Sequence, residues 1–291
     1  MGRVLSVEIN SVMHGQKIDC VLKNQFKISD ALMKQLKRDK NGIMLNDAHA
    51  DVIDKVSRGD ILVVNIKGKN AENIIPVNIP LDVIWEDEDI LVVNKPGTMP
   101  VHPSRIHIND TLLNAVMYYM ANGEIVHIIT RLDRETSGVV LIAKNPWAAA
   151  LMGEDIKNGK IKKEYIAVVN GIPEPFKGRI CAPIIKKEER KILRCVSEDG
   201  KEAVTEYELI KKTDKLSLIK LFPITGRTHQ LRVHMSYIGH PIYGDSMYGA
   251  AQTGERTRLH CQRITFIHPV TGEKISVTAP TPEDFIELAQ E

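Results

Sequence analysis

Thr130-Arg131-Leu132-Asp133-Arg134-Glu135-Thr136-Ser137-Gly138 sets a dense run of charge between two apolar runs, Ile125–Ile129 and Val139–Ala143. Short continuous apolar runs of this kind read as buried strands. The charged stretch between them is then a loop held at both ends, a good place to present a reactive group, and Asp133 is the group that stands out. A solvated hairpin turn has the same pattern, so the reading rests on the rest of the chain.

Composition permits much and decides little. The 291 residues suffice for one large domain or two, and 43% hydrophobic with 26% charged residues is ordinary for a globular protein with a full core. Net charge is only +2, so nucleic-acid binding would have to come from local clustering of Lys and Arg. Cys20, Cys181, Cys195 and Cys261 are far apart and form no C-x-x-C pair. That argues against a thiolate zinc site and predicts buried free thiols in a reducing compartment. No apolar run approaches the roughly 18–20 residues needed to span a bilayer, and no basic-then-apolar secretory signal is present. A cytoplasmic location without membrane association is expected. His229, His234, His240, His260 and His268 lack H-E-x-x-H spacing, so no metal is expected, and no phosphate-binding or dinucleotide glycine motif asks for a nucleotide cofactor.

In chain order, residues from about Gly15 to Ile66 read as a small unit. Ser29 caps a predicted helix over Asp30–Arg38, with Ala31, Leu32, Gln35 and Leu36 as its apolar stripe and Lys34, Lys37 and Arg38 gathered elsewhere. Such a basic face is either simply solvated or a phosphate-binding surface. Strands are predicted at Ile43–Asn46 and Ile61–Ile66, and 68–79, with its Asn, Gly and Pro, reads as a linker. Further on, Ile90–Asn94 is a strand, Asp110 caps a helix over Thr111–Asn122, and Asn145-Pro146 opens another that runs to about Gly159. Strands follow at Tyr165–Val169, Val204–Ile210 and Leu216–Phe222. Ser104–Asn109 and Lys186–Gly200 are expected to be loops.

Five blocks of the sequence resemble, in order, the RluA/RluD type of pseudouridine synthase. They are Glu86–Pro103 (EDEDILVVNKPGTMPVHP), Arg131–Gly138 (RLDRETSG), Lys163-Glu164-Tyr165, Thr225–Met235 (TGRTHQLRVHM) and Gly239–Gly249 (GHPIYGDSMYG). The resemblance implies an α+β catalytic domain over 80–291, with a mixed, largely antiparallel central sheet and flanking helices. Residues 1–67 are similar to the small RNA-binding domain of the ribosomal-protein S-four type. The expected partner is structured RNA, ribosomal or transfer, with one uridine swung out of its stack, and the enzyme is expected to be a monomer. The one departure is Thr130, where many members carry His.

Turning uridine into its C-linked isomer breaks the bond from ribose to base nitrogen, turns the base and rejoins it through carbon. No electrons are gained or lost, so the chemistry requires no redox cofactor. It requires a nucleophile that holds one fragment, and an ionised carboxylate attacking either sugar or base can serve. The resemblance gives that role to Asp133, the pairing cation to Arg232 and the stacking ring, which later takes the proton from carbon, to Tyr165. Arg131 is similar to an arginine that fills the gap left by the extracted base, and Arg227 and His229 are expected at the RNA, as are Lys34, Lys37 and Arg38. The alternative is a non-catalytic RNA-binding or ribosome-assembly protein that keeps the same fold.

Overall fold

The computed structural model describes residues 2–68, 74–121, 125–188, 192–249 and 256–287. The first unit is a four-stranded antiparallel sheet. Its strands are Arg3–Glu8 (β1), Ile43–Leu45 (β2), Ala48–His49 (β3) and Ile61–Ile66 (β4), in the order β1-β4-β2-β3. In β4 the side chains alternate, with Leu62, Val64 and Ile66 buried, as a strand with one covered face requires. Two helices, Ile18–Phe26 (α1) and Asp30–Leu36 (α2), supply Ile18, Val21, Leu22, Leu32, Met33 and Leu36 to the same core.

Ser29 caps α2 as predicted, its hydroxyl accepting from the Leu32 amide at 3.3 Å. The buried stripe is turned by comparison with the expected one, since Met33 is inside and Ala31 is exposed. The unit also starts at Arg3 and not near Gly15. β1 shows only Leu5 fully buried, and α1 begins after Lys17 with no side-chain cap, so neither element carries a start signal in the sequence.

The rest of the chain builds a ten-stranded sheet. Its elements run Val83–Glu86 (β5), Ile90–Lys95 (β6), Leu112–Met120 (α3), His127–Ile128 (β7), Ser137–Ala143 (β8), Pro146–Lys157 (α4), Lys162–Asn170 (β9) and Lys177–Cys181 (β10). There follow a hairpin of Ile184–Lys186 (β11) and Arg194–Val196 (β12), then Val204–Lys212 (β13), Leu216–Pro223 (β14), Gln230–Tyr237 (α5), Leu259–Ile267 (β15), Lys274–Thr278 (β16) and Glu283–Glu287 (α6). The sheet order is β10-β13-β14-β9-β15-β8-β6-β5, with β16 on β15 and β7 on β8. Among the described residues every pairing is antiparallel except β15 with β8. This is the α+β architecture expected.

β6 and β8 read as unbroken apolar runs because both faces are covered: Ile90–Val93 and Val139–Ala143 are fully buried. The run Ile125–Ile129 becomes a strand only at His127–Ile128. The amides of Ile129 and Thr130 both turn to the Leu141 carbonyl, at 2.8 and 3.2 Å, which ends the ladder. The cap of α3 is Thr111 and not Asp110, which instead accepts from His107. Beyond Met120, the predicted end at Asn122 lies outside the described residues. Part of the expected loop Lys186–Gly200 is the β11–β12 hairpin, while 189–191 lie outside the described residues. Within the segment read as a linker, 69–73 are likewise outside; Val77 and Ile75 are bonded to Asn114 of α3.

Of the four cysteines, all free, only Cys261 is fully buried; Cys20 and Cys181 are exposed. Among the described residues no group of His, Cys, Asp and Glu could hold a metal, and no helix is long and apolar enough to cross a membrane. The histidines have other partners: His234 bonds Thr205 and the Ala182 carbonyl, His240 the Asn170 carbonyl, and His268 lies 2.7 Å from Asp87.

The parallel pair β8–β15 is the tight point of the sheet. Gly138 has φ +110°, and a Cβ there would lie 2.2 Å from the Cys261 carbonyl oxygen. Gly138→Ala is expected to lower stability by about 3 kcal/mol, from backbone strain plus overpacking. Denaturant unfolding measures this; a loss below ~1 kcal/mol would mean the strands part easily. One residue away, Ser137 bonds the fully buried His260, whose pKa burial lowers to about 4. The unfolded chain takes up this proton near 6.5 and the folded one resists, so stability falls as pH drops from 6.5 to about 4. The expected loss is roughly 3 kcal/mol, and His260→Gln should flatten that part of the pH–stability curve.

Candidate active site

Strand register brings the site together. Tyr165 on β9 stands opposite Cys261 on β15, and Cys261 stands opposite Gly138 on β8. Two strand spacings, roughly 10 Å, therefore separate Tyr165 from the residue that closes the Asp133 loop. The loop itself is fixed at both ends. The Thr130 hydroxyl accepts from the Leu141 amide at 3.0 Å, and the Asp133 carbonyl accepts from the Thr136 amide at 3.1 Å. A third anchor is Lys95 at the end of β6, fully buried, whose ammonium donates to the carbonyls of Pro96, Met99 and Arg134 at 2.7, 2.9 and 3.1 Å. Burial pushes Lys95 down to about 7 while the negative charges of Glu135 and Asp133 pull it up.

Asp133 opens into a cleft of about 640 Å³ that is also lined by Arg131, Tyr165, Arg227, His229 and Arg232. Its side chain is 28% exposed, enough to meet a ligand. Arg232, on α5, is 4% exposed and lies between two carboxylates. Its Nε and Nη2 donate to the two oxygens of Asp245 at 2.7 and 2.8 Å, and its Nη1 reaches Asp133 at 3.5 Å. Such a bidentate fork fixes the plane of the guanidinium. Burial alone would lower the Arg232 pKa, but Asp245 and Asp133 outweigh it and the net direction is up.

A second chain of contacts reaches Asp133 from the start of α5. His229 has φ +57°, which turns its ring so that Nε2 lies 3.8 Å from Asp133 while Nδ1 is 2.6 Å from the Tyr248 hydroxyl. Burial lowers the His229 pKa, more than the Asp133 charge raises it. The neutral ring with its proton on Nε2 fits both neighbours, as Nδ1 then accepts from Tyr248. The Tyr248 ring in turn lies 5.1 Å from the Arg232 guanidinium carbon. α5 is anchored by Gln230, whose carbonyl oxygen accepts from the Thr225 hydroxyl and the Arg227 amide, and whose amide donates to Val204 and Thr205.

Tyr165 is 6% exposed, with Lys163 5.9 Å from its ring centroid. Burial, then the neighbouring Cys261, hold its phenol well above the ordinary value of 10. At neutral pH it is a protonated, amphipathic wall of the cleft.

Residues 89–237 match a family described as RNA pseudouridylate synthase. Over 266 residues the chain is 38% identical to an uncharacterized RNA pseudouridine synthase of Bacillus subtilis, YjbO, with 90% of this chain and 94% of that protein covered. The chain belongs to the RNA pseudouridylate synthase family. It is also 32% identical to ribosomal large subunit pseudouridine synthase D of Haemophilus influenzae over 306 residues, 98% of this chain and 93% of that one. Among solved structures it is similar to human RNA pseudouridylate synthase domain containing 1, at a TM-score of 0.60 and 29% identity over 70% of this chain and 84% of the other. The enzyme is thus an isomerase that acts on RNA.

In this synthase the cleft gathers Asp133, Tyr165, Arg232, Arg131, Arg227 and His229. Arg227 is tied by its Nε to the Glu202 carbonyl at 2.8 Å. Lys34, Lys37 and Arg38 are not in the cleft; they are exposed on or just past α2. Sequence reasoning missed Asp245, Tyr248 and Lys95. Asp245 is fully buried and its only sequence signal is the block GHPIYGDSMYG, where an acid between turn-forming glycines reads as solvated.

Asp245→Asn leaves Arg232 with Asp133 alone, 3.5 Å away. Breaking a buried pair of this kind costs on the order of 3–5 kcal/mol. Stability is expected to fall accordingly, and kcat to fall with little change in KM as the guanidinium loses its fixed plane. A folded Asp245→Asn enzyme with wild-type kcat would show that the second carboxylate does not position Arg232.

Proposed function

We propose that this synthase converts a uridine of structured RNA to pseudouridine with Asp133 as nucleophile, and that the RNA is that of the large ribosomal subunit. The observation that carries the reading is the placement of Asp133 in an open cleft within reach of a buried guanidinium already neutralised by Asp245. A carboxylate that must stay ionised beside an apolar base needs a cation near it, because burial favours the neutral form. Arg232 supplies that cation without collapsing onto Asp133, since its two best donors are committed elsewhere. The attacking oxygen stays available to form a bond to either sugar or base, while the C–N bond breaks and its electrons pass to the uracil.

Tyr165 offers the flat face on which the detached base turns. With its phenol held protonated, it can take the proton from carbon only by handing its own on, so stacking is the role it fits directly. Arg131, exposed at the mouth, suits the gap left when the nucleotide leaves its stack, at a cost of a few kcal/mol. Arg227 and His229 flank the entering strand. We further assign residues 1–67 to RNA binding of the S-four type, with Lys34, Lys37 and Arg38 on phosphates, and place the enzyme in the cytoplasm as a monomer. The large-subunit target is supported by the likeness to a ribosomal large subunit synthase; the transfer-RNA target is the other outcome of the test.

Asp133→Asn and Asp133→Ala are expected to abolish turnover while leaving melting temperature and RNA affinity near wild type. The fold should survive because Asp245 still neutralises Arg232. Chemical mapping of pseudouridine in ribosomal and transfer RNA exposed to each variant reads the outcome. Product at the wild-type level would remove Asp133 as nucleophile, and product confined to transfer RNA with the wild type would move the target.

A further inference from the structure

Helix α4 belongs to two cores at once. Trp147 is buried in the hydrophobic cluster of the N-terminal sheet, with Leu151 packed against the same cluster. Ala148 and Met152 are buried in the core of the large sheet. Each pair is spaced by four residues, so the two pairs form adjacent stripes on one helix. The Trp147 indole N–H donates to the carbonyl of Phe26 at 2.7 Å, where α1 ends and the chain turns into α2. Beside it, Arg3 of β1 forms ion pairs with Glu88 and, through Nε at 3.0 Å, with Asp89. Asp89 is 2% exposed and accepts from Asn145, the cap of α4, at 2.7 Å. At the far end of the same helix, Ile156 and then Gly159 line the cleft that holds Asp133.

We infer that α4 is a spacer that holds the N-terminal unit at one distance from the cleft, so that unit and cleft form a single surface for RNA with a duplex flanking the modified uridine. The inference rests on the assignment of Lys34, Lys37 and Arg38 to phosphate binding. At 1.5 Å per residue, α4 spans about 18 Å, roughly half a helical turn of a nucleic-acid duplex. A unit on a flexible tether accepts any RNA within reach and loses freedom when it binds; a docked unit has lost that freedom already and rewards only RNA of the right length. The side chains that dock it are apolar and partly charged, whereas those that would meet phosphate, Lys34, Lys37 and Arg38, are left exposed. The partner is therefore an RNA whose stem is long enough to reach from the cleft to α2.

Docking is tested first without RNA. With Cys20, Cys181 and Cys195 replaced by serine, spin labels at Lys40→Cys and Lys157→Cys should give a narrow distance distribution, and a broad one after Trp147→Ala; a broad distribution with Trp147 present overturns the proposal. Trp147→Phe, which keeps the site filled but removes the bond to Phe26, serves if the alanine variant does not fold. Turnover is then followed on synthetic stem-loops carrying a uridine the wild type converts, with stems lengthened one base pair at a time. Wild-type kcat/KM should step up by about tenfold at one stem length, as a few added phosphate contacts allow. In Trp147→Ala the step should vanish while the rate on the shortest stem-loop is unchanged. Lys34→Gln/Lys37→Gln/Arg38→Gln should lose the step and about 0.9 of salt slope per lost phosphate contact. A step that persists in Trp147→Ala sinks the spacer and leaves phosphate binding by α2 standing. A step that persists in the triple variant refutes the phosphate-binding assignment, and no step in the wild type overturns the inference.

Discussion

A guanidinium taken out of water has to be neutralised by a group that will not leave it, and here that group is Asp245. Both charges are almost wholly buried, so neither can drift toward solvent, and two short hydrogen bonds fix their common plane. The third donor of Arg232 is left over, pointing into the cleft. Asp133 is attracted without being captured, at 3.5 Å where a full pair would close to about 2.8 Å. A carboxylate locked in a bidentate pair would be a poor nucleophile, because the electron pair it must share is already engaged. With two carboxylates on one cation, Asp245 holds the guanidinium and Asp133 keeps its oxygens open to the cleft, as the proposed nucleophile requires.

The sheet delivers those groups from distant parts of the chain. β8 carries the Asp133 loop, β9 carries Tyr165, and β15 passes between them as the one parallel partner of β8. That arrangement works only because Gly138 has no side chain, which lets the Cys261 backbone approach. α5 then crosses at the end of β14, with Gln230 tying its first turn to β13. The electrostatics of the site are therefore as rigid as the sheet beneath it, which is what preorganised catalysis requires.

Much of this was legible in the sequence, and the exceptions have physical reasons. Strands β6 and β8 announced themselves because burial on both faces leaves an unbroken apolar run. Asp133, Tyr165 and Arg232 lay in motifs whose similarity to a known family was plain, and the structure puts all three in one cleft. Asp245 was not legible as a partner of Arg232, because a buried acid and a solvated one look alike in a turn-rich segment and only the fold brings it to the arginine. Helix α1 lacked a capping side chain and so gave no start signal. Ile125–Ile129 had the composition of a full strand, but two amides shared one carbonyl and pairing stopped. The reading of the cysteines as buried free thiols rested on the lack of a C-x-x-C pair, which says nothing about exposure, and Cys20 and Cys181 are exposed.

Lys95 ties three carbonyls from two separate segments to a single nitrogen, so the residues after β6 and the residues around Asp133 behave as one knot. Neither segment can swing aside unless the other moves with it. The wall of the cleft that carries Asp133 therefore meets whatever enters as one body.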